Sequence, residues 1–205
     1  MLKKIVFFLI AFAAVIAFNI SHAGAVEIKK GTISLAGSSD LSFSHYDHKV
    51  EDKNSSRSAE IDGEVLDLSI RVGYFLADNL EIGAEIDVIY EFEDGGDDTS
   101  LAIGPFVKYH IDLNENSNLS LRAMVGVLQN DVDNDFFSGE FEGTVFSAGI
   151  GWEYFFNCNV AGTIGLNYFW KEWDEDYYLK SDGSAMRLTR TESSISTYIG
   201  LIFYF

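Results

Sequence analysis

The sequence has one cysteine, Cys158, and one proline, Pro105, in 205 residues. A lone thiol cannot form an internal disulfide, so stability must come from packing and hydrogen bonding. The scarcity of proline leaves no Pro-rich linker, and the length suits one domain. Basic residues are also few. Lys and Arg number 14 against 32 Asp and Glu, a formal net charge of −18. That balance excludes nucleic acid as an expected partner, because phosphate binding needs basic patches. Beyond the first two dozen residues no apolar run approaches the ~20 residues of a membrane-spanning helix.

The N-terminus supplies the missing apolar run in short form. Lys3 and Lys4 precede an apolar stretch from Ile5 to Phe18, followed by Ser21-His22-Ala23. A basic start, an apolar centre and a small-x-small site read as a secretory signal over 1–23, cut before Gly24. Residues 24–205 are then the exported domain, two charges more negative than the whole chain. No Cys lies near the cleavage site, so a lipid-anchored lipoprotein is not expected.

What the exported part does have is alternation. Eight segments carry an apolar/polar period of two, the mark of strands with two unlike faces. They lie at about 31–46, 63–75, 80–92, 101–112, 119–129, 144–155, 160–171 and 193–205. The third is cleanest: Leu80, Ile82, Ala84, Ile86, Val88, Tyr90 and Phe92 alternate with Glu81, Gly83, Glu85, Asp87 and Glu91. Short turns follow segments two, four and six. Longer charged loops, about 47–62, 93–100, 130–143 and 172–192, follow segments one, three, five and seven. All long loops then share one end of the array.

Three features choose membrane over a soluble sandwich. The apolar stripes hold no mid-segment charge, which lipid requires, since Lys or Arg at the bilayer midplane costs about 2–4 kcal/mol. The polar face is rich in Gly, including Gly73, Gly83, Gly104, Gly126, Gly149, Gly151, Gly165 and Gly200. Glycine weakens a water-facing strand, but in a narrow lumen it makes room for a Glu or Arg opposite. Aromatics also mark both ends of the apolar stripes, as in the two girdles of a transmembrane barrel. The expectation is an all-β, eight-stranded antiparallel up-and-down transmembrane barrel. It sits in the outer membrane of a Gram-negative cell, with periplasmic termini and extracellular long loops.

Three stretches carry a family resemblance: Val72 to Ile86 ("VGYFLADNLEIGAEI"), Ile103 to Ile111 ("IGPFVKYHI") and the final "YIGLIFYF". With them the exported chain resembles the small outer-membrane barrels of the OmpA/OmpX/opacity type. The resemblance implies the fold and an aromatic C-terminal assembly signal, here Tyr198, Gly200, Leu201, Phe203 and Phe205, read by the barrel-assembly machinery. It leaves activity open, because members include adhesins and surface shields.

The inward face supplies the candidate site. Asp67, Arg71, Glu81, Glu85, Asp87, Glu91, Lys108, Arg122, Glu153 and Lys171 all have lumen parity, as do Asp40 and Asp112. Buried charges must pair, so these residues form a structural ion-pair network; a narrow, porin-like conduit for ions or small solutes is the alternative. Pro105, on the lipid face, suggests a bulge. In the loop "DVDNDFFSGEFE", Asp131, Asp133, Asp135 and Glu142 match calcium-loop spacing, but Phe136 replaces the turn glycine. That makes a metal site there a weak candidate, and none is expected.

A lipid-modifying enzyme would need a Ser with a His base. Ser44 and His45 are the candidates, with His110 further along, and no deacylase-like motif accompanies them. No catalytic residue and no cofactor are expected. The expected partners are outer-membrane lipid, the assembly machinery and an extracellular ligand or host surface, met through loops such as 48–64 and 174–194 by a monomer.

Overall fold

The computed structural model describes residues 28–52, 55–93, 96–133, 137–179 and 185–205, with side chains for 28–39, 66–90, 99–129, 142–173 and 191–205. The expected signal segment lies outside them. The strands are β1 (Ile33–Asp52), β2 (Ser55–Ala77), β3 (Leu80–Glu93), β4 (Gly96–Asn114), β5 (Ser117–Asp133), β6 (Phe137–Asn157), β7 (Val160–Leu179) and β8 (Ala185–Tyr204). Each pairs antiparallel with its neighbour in sequence, and β8 pairs with β1 to close the barrel. Closure removes both sheet edges. The terminal apolar run is therefore a paired strand, with Leu201 opposite Gly37 and Phe203 opposite Leu35.

Alternation sorts the side chains as expected. Ile70, Val72, Tyr74, Ile103, Val107, Val125, Ile164 and Ile199 face outward and are exposed. Arg71, Glu85, Lys108 and Glu153 face inward and are buried. Tyr74, Tyr109, Tyr154 and Phe205 are exposed toward the short-turn end, and Phe146 and Tyr168 toward the other.

The long loops differ from expectation. Strand pairing runs on through most of them: β1 and β2 stay in register out to Asp52 opposite Ser55, and β7 and β8 to Tyr178 opposite Ala185. β2 has 23 residues, whereas about 9–11 suffice to cross a bilayer. Pairing satisfies backbone groups as well outside the membrane as inside it, so nothing ends the ladder where the solvent changes.

The short turns are two residues each: Asp78-Asn79, Glu115-Asn116 and Cys158-Asn159. A register shift precedes each one, at Leu76, Leu113 and Phe156. Those bulged residues are apolar and exposed, adding to the outer belt at this end. Pro105 was expected at a bulge and is not. The register toward β5 is the same at Ile103–Val127 and Phe106–Met124, and the ladder only skips Gly104 and Pro105. Proline has no N–H to donate, and here the strand forgoes a bridge without inserting a residue.

Candidate functional site: the barrel lumen

The short-turn end of the lumen is closed by four rings from alternate strands. Phe75, His110, Phe155 and Tyr204 are all buried. The centroid of Phe75 lies 5.0 Å from that of His110 and 6.1 Å from that of Tyr204. Phe155 lies 5.6 Å from Tyr204. The four positions are built alike. Their backbone N–H groups donate to the carbonyls of Thr32, Asn79, Asn116 and Asn159 at 2.8–2.9 Å. Each turn thus fixes the height of the ring on the neighbouring strand. Ala36, Ala161 and Ile202 pack around this floor, with Ile28 against it.

Immediately above, three strands bring charges together. Lys108 Nζ lies 2.5 Å from Glu153 Oε1 and 3.9 Å from Glu81 Oε2. His110 Nε2 is 2.9 Å from Glu81 Oε2, and Nδ1 is 3.2 Å from Glu153 Oε2. Of the two ring nitrogens, Nε2 is hydrogen-bonded to Glu81, while Nδ1 approaches Glu153 without a hydrogen bond. The Tyr204 hydroxyl donates to Glu153 (3.3 Å), and Ser34 donates to Glu81. A Cβ on Gly73 would fall 2.0 Å from Glu81 Oε1. The glycine thus makes the room for a carboxylate that its place on the polar face suggested.

A second group follows one level up. Arg122 donates to Glu85, and Arg71 Nη1 lies 3.9 Å from the same oxygen. Arg71 also donates to Ser38 (3.3 Å), which is 2.5 Å from Ser69. Tyr198 lies beside this group, over Gly151 and Gly165. Toward the long-hairpin end the lumen becomes apolar. Ile89, Ala102, Phe106, Met124, Leu128, Val145, Phe169 and Trp173 form one buried cluster. An eight-stranded barrel has an interior just wide enough for side chains to fill, and two apolar layers here enclose a charged middle.

The sequence matches the outer membrane protein beta-barrel domain over residues 6–187. The chain belongs to this outer-membrane barrel family. Solved structures share the fold at low identity. Neisserial surface protein A, from Neisseria, is 15% identical, covering 86% of this chain and 98% of its own, with a TM-score of 0.58. OprG from Pseudomonas aeruginosa is 13% identical, covering 86% and 97%, with a TM-score of 0.62. AlkL, solved in lipid bilayers, is 12% identical, covering 91% and 95%, with a TM-score of 0.53. No curated relative matches the sequence.

Of the lumen residues expected from this outer-membrane barrel's sequence, Arg71, Glu81, Glu85, Lys108, Arg122 and Glu153 meet in the two charged groups. Asp67 and Asp87 are buried beside the second group. Lys171 is buried in register with Glu192. The side chains of Asp40 and Glu91 lie outside the described residues. Asp112 was expected inward but is exposed at the edge of a turn, next to the Leu113 bulge. His110, named in the sequence only beside the enzyme reading, faces inward and touches both Glu81 and Glu153.

The acidic segment with calcium-like spacing runs largely as a hairpin. Asp131 pairs with Glu140, Asp133 with Ser138, and Glu142 with Gln129, so the acids sit on two strands. Asp135 lies outside the described residues. Among those residues no group of three His, Cys, Asp or Glu could hold a metal ion. Ser44 and His45 lie on β1 opposite Gly63 and Asp62, with side chains outside the described set. Cys158 is exposed in its turn, and its thiol donates to Asn159 Oδ1 at 3.1 Å.

The apolar lumen layers were missed, although parity alone could have found them. Phe75 continues the inward series Asp67, Ser69, Arg71, Gly73, and Phe155 continues Gly149, Gly151, Glu153.

Proposed function

We propose that this outer-membrane barrel is a closed, non-catalytic scaffold. Its short turns lie in the periplasm, and its long hairpins are held outside the cell for surface contact. The observation that carries the reading is the double closure of the lumen, by the ring floor at one end and the apolar cluster at the other. Apolar seals at both ends leave no wetted path for ions, while the paired hairpins offer large contact surfaces on a rigid base. Residues 1–23 act as the signal. Tyr198, Gly200, Leu201, Phe203 and Phe205 act as the assembly signal for the barrel-assembly machinery. The barrel works as a monomer in lipid.

A narrow conduit is the second reading. It is favoured by the charged middle of the lumen, where acids outnumber bases among the described residues. No Ser hydroxyl among the described residues hydrogen-bonds to His110, which is part of the ring floor and faces two carboxylates above it. That placement favours a structural over a catalytic histidine. Reconstitution into planar bilayers, together with deletion of one hairpin at a time, tests the scaffold reading. Silence in the bilayer and loss of surface or host-cell binding in one or more deletions are expected. Steady single-channel conductance of the intact protein would replace it with the conduit.

A further inference from the structure

The outer hairpin of β1 and β2 brings together residues that the sequence keeps apart. The ladder holds one register from Ile33–Tyr74 to Asp52–Ser55, with no bulge along it. His45 therefore stands directly opposite Asp62, and Asp47 directly opposite Glu60. Residues of a strand alternate between faces, and residues directly opposite share one. His45, Asp47, Glu60 and Asp62 thus belong to a single face of the hairpin. Lower down, the same face carries Leu35, Ile70 and Val72 and is the exposed outer face of the barrel.

The spacing of these four positions is that of one ion site. Directly opposite Cβ atoms lie about 4.5–5.5 Å apart, and positions two apart on a strand about 6.5–7 Å. One ion held at about 2.0–2.2 Å from nitrogen and oxygen donors can be shared by all four corners of such a patch. Charge points the same way. Asp47 and Glu60 are like charges directly opposite each other, a pairing that destabilises a ladder. Lys49 is the one Lys or Arg on this face from Phe43 to Glu51 and from Ser56 to Glu64, and it stands opposite Ser58. A cation among the four positions removes the repulsion. The face is also open. β8 pairs with β1 only as far as Thr197 opposite Leu41, and β3 with β2 only as far as Phe92 opposite Glu64. Among the described residues no third strand pairs beside the four positions, so an ion reaches them from solvent and no cavity is required.

We propose that this face of the hairpin binds one zinc(II) ion, with His45, Asp47, Glu60 and Asp62 as its ligands. Zinc takes imidazole nitrogen and carboxylate oxygen in a four-coordinate shell, and the four corners supply one nitrogen donor and three carboxylates. An all-acid patch suits calcium or magnesium, which take oxygen ligands; the imidazole at one corner selects zinc instead. The ion ties the two strands together beyond their last pairing with β3 and β8, and so stiffens the surface that the hairpin offers. Zinc binding itself does not depend on that surface meeting a partner.

Calorimetric titration of the intact, refolded barrel with zinc(II) in detergent tests the site. Every protein compared carries Cys158→Ser, so that the exposed thiol takes no metal. One zinc per chain is expected. His45→Ala and Asp62→Asn should each weaken binding at least about tenfold, the least that loss even of a ligand's supporting partner costs. His48→Ala, opposite Ala59 on the other face, should leave binding unchanged. Heat-dependent gel mobility checks that each variant is folded, with Asp47→Asn replacing any that is not. Calcium in excess should not displace the zinc. The proposal is overturned if zinc does not bind one to one, or if His45→Ala and Asp62→Asn bind it as tightly as the parent. An equal loss in His48→Ala also overturns it, as does calcium competing on equal terms, the mark of an acidic surface without a zinc site.

Discussion

The hydroxyl of Tyr198 lies 2.1 Å from the point where a Cβ on Gly151 would stand. The ring of the same tyrosine lies 2.7 Å from the Cβ position of Gly165. Two glycines on adjacent strands thus form a slot for one inward tyrosine. The two are not equivalent, because a Cβ on Gly165 would also meet the Ile150 carbonyl at 2.3 Å. Gly151→Ala should therefore destabilise the barrel by about 1–3 kcal/mol, the usual cost of overpacking, and Tyr198→Phe should recover most of it. Gly165→Ala should not be rescued by the same change. Urea unfolding in detergent, with four proteins compared in each cycle, checks both statements.

Glu153 holds Lys108, His110 and Tyr204 at once. Glu153→Gln leaves the buried Lys108 ammonium with Glu81 at 3.9 Å as its remaining carboxylate. Removing one partner of a buried pair typically costs about 3–5 kcal/mol. Tyr204→Phe removes only the hydroxyl bond and should cost about 1 kcal/mol. Equal effects of the two variants, read from heat-dependent gel mobility or denaturant midpoints, would contradict this picture of the network.

Double closure makes a prediction about conductance. Phe75→Ala or Phe155→Ala opens the floor, but Ile89, Phe106, Leu128 and Phe169 still seal the other end. Single floor variants should stay silent in planar bilayers while losing about 3–5 kcal/mol of stability. A floor variant combined with Phe169→Ala should begin to conduct. A conducting single variant would show that the apolar cluster does not seal.

Depth on the outer face should be measurable by charge. Val125 is exposed midway along the outward stripe of β5, and Leu119 lies beside the short turn. Arg at Val125 should cost about 2–4 kcal/mol and Arg at Leu119 about 0–1. Refolding equilibria in lipid vesicles provide the comparison, and a larger cost at Leu119 would misplace the bilayer.

Phe205 is 72% exposed, and its backbone exchanges hydrogen bonds with Ile33 at 2.9 and 3.1 Å. Its side chain contributes little to folded packing. Deleting it should slow assembly in cells far more than it lowers the stability of refolded protein. Normal insertion of the truncated chain would remove the assembly role.

Much of this barrel was legible in the sequence because its two solvents, lipid and a packed lumen, impose opposite demands on alternate residues. The pairs Ile82/Glu81 and Val107/Lys108 carry that contrast plainly. The ends of the strands were not legible. The ladder continues beyond the bilayer, where lipid no longer demands an apolar face, so charge in 47–62 reads as loop although 47–52 and 55–62 are paired. The apolar lumen layers were hidden for a related reason. Where Phe75, Ile89 or Phe106 points inward, both faces are apolar and the contrast vanishes, leaving parity as the only guide. The role of His110 is spatial. Its carboxylates come from β3 and β6, and no local spacing links them.

The extension of β1 and β2 into a long paired hairpin also bears on how that hairpin would be recognised. Positions distant in sequence become neighbours across the ladder, with His48 opposite Ala59 and Asp47 opposite Glu60. Any partner of this hairpin would meet a composite surface drawn from two chain segments in fixed register. A synthetic peptide copying only one segment would present half of each neighbouring pair, and antibodies raised against it would be poor reagents for the assembled barrel.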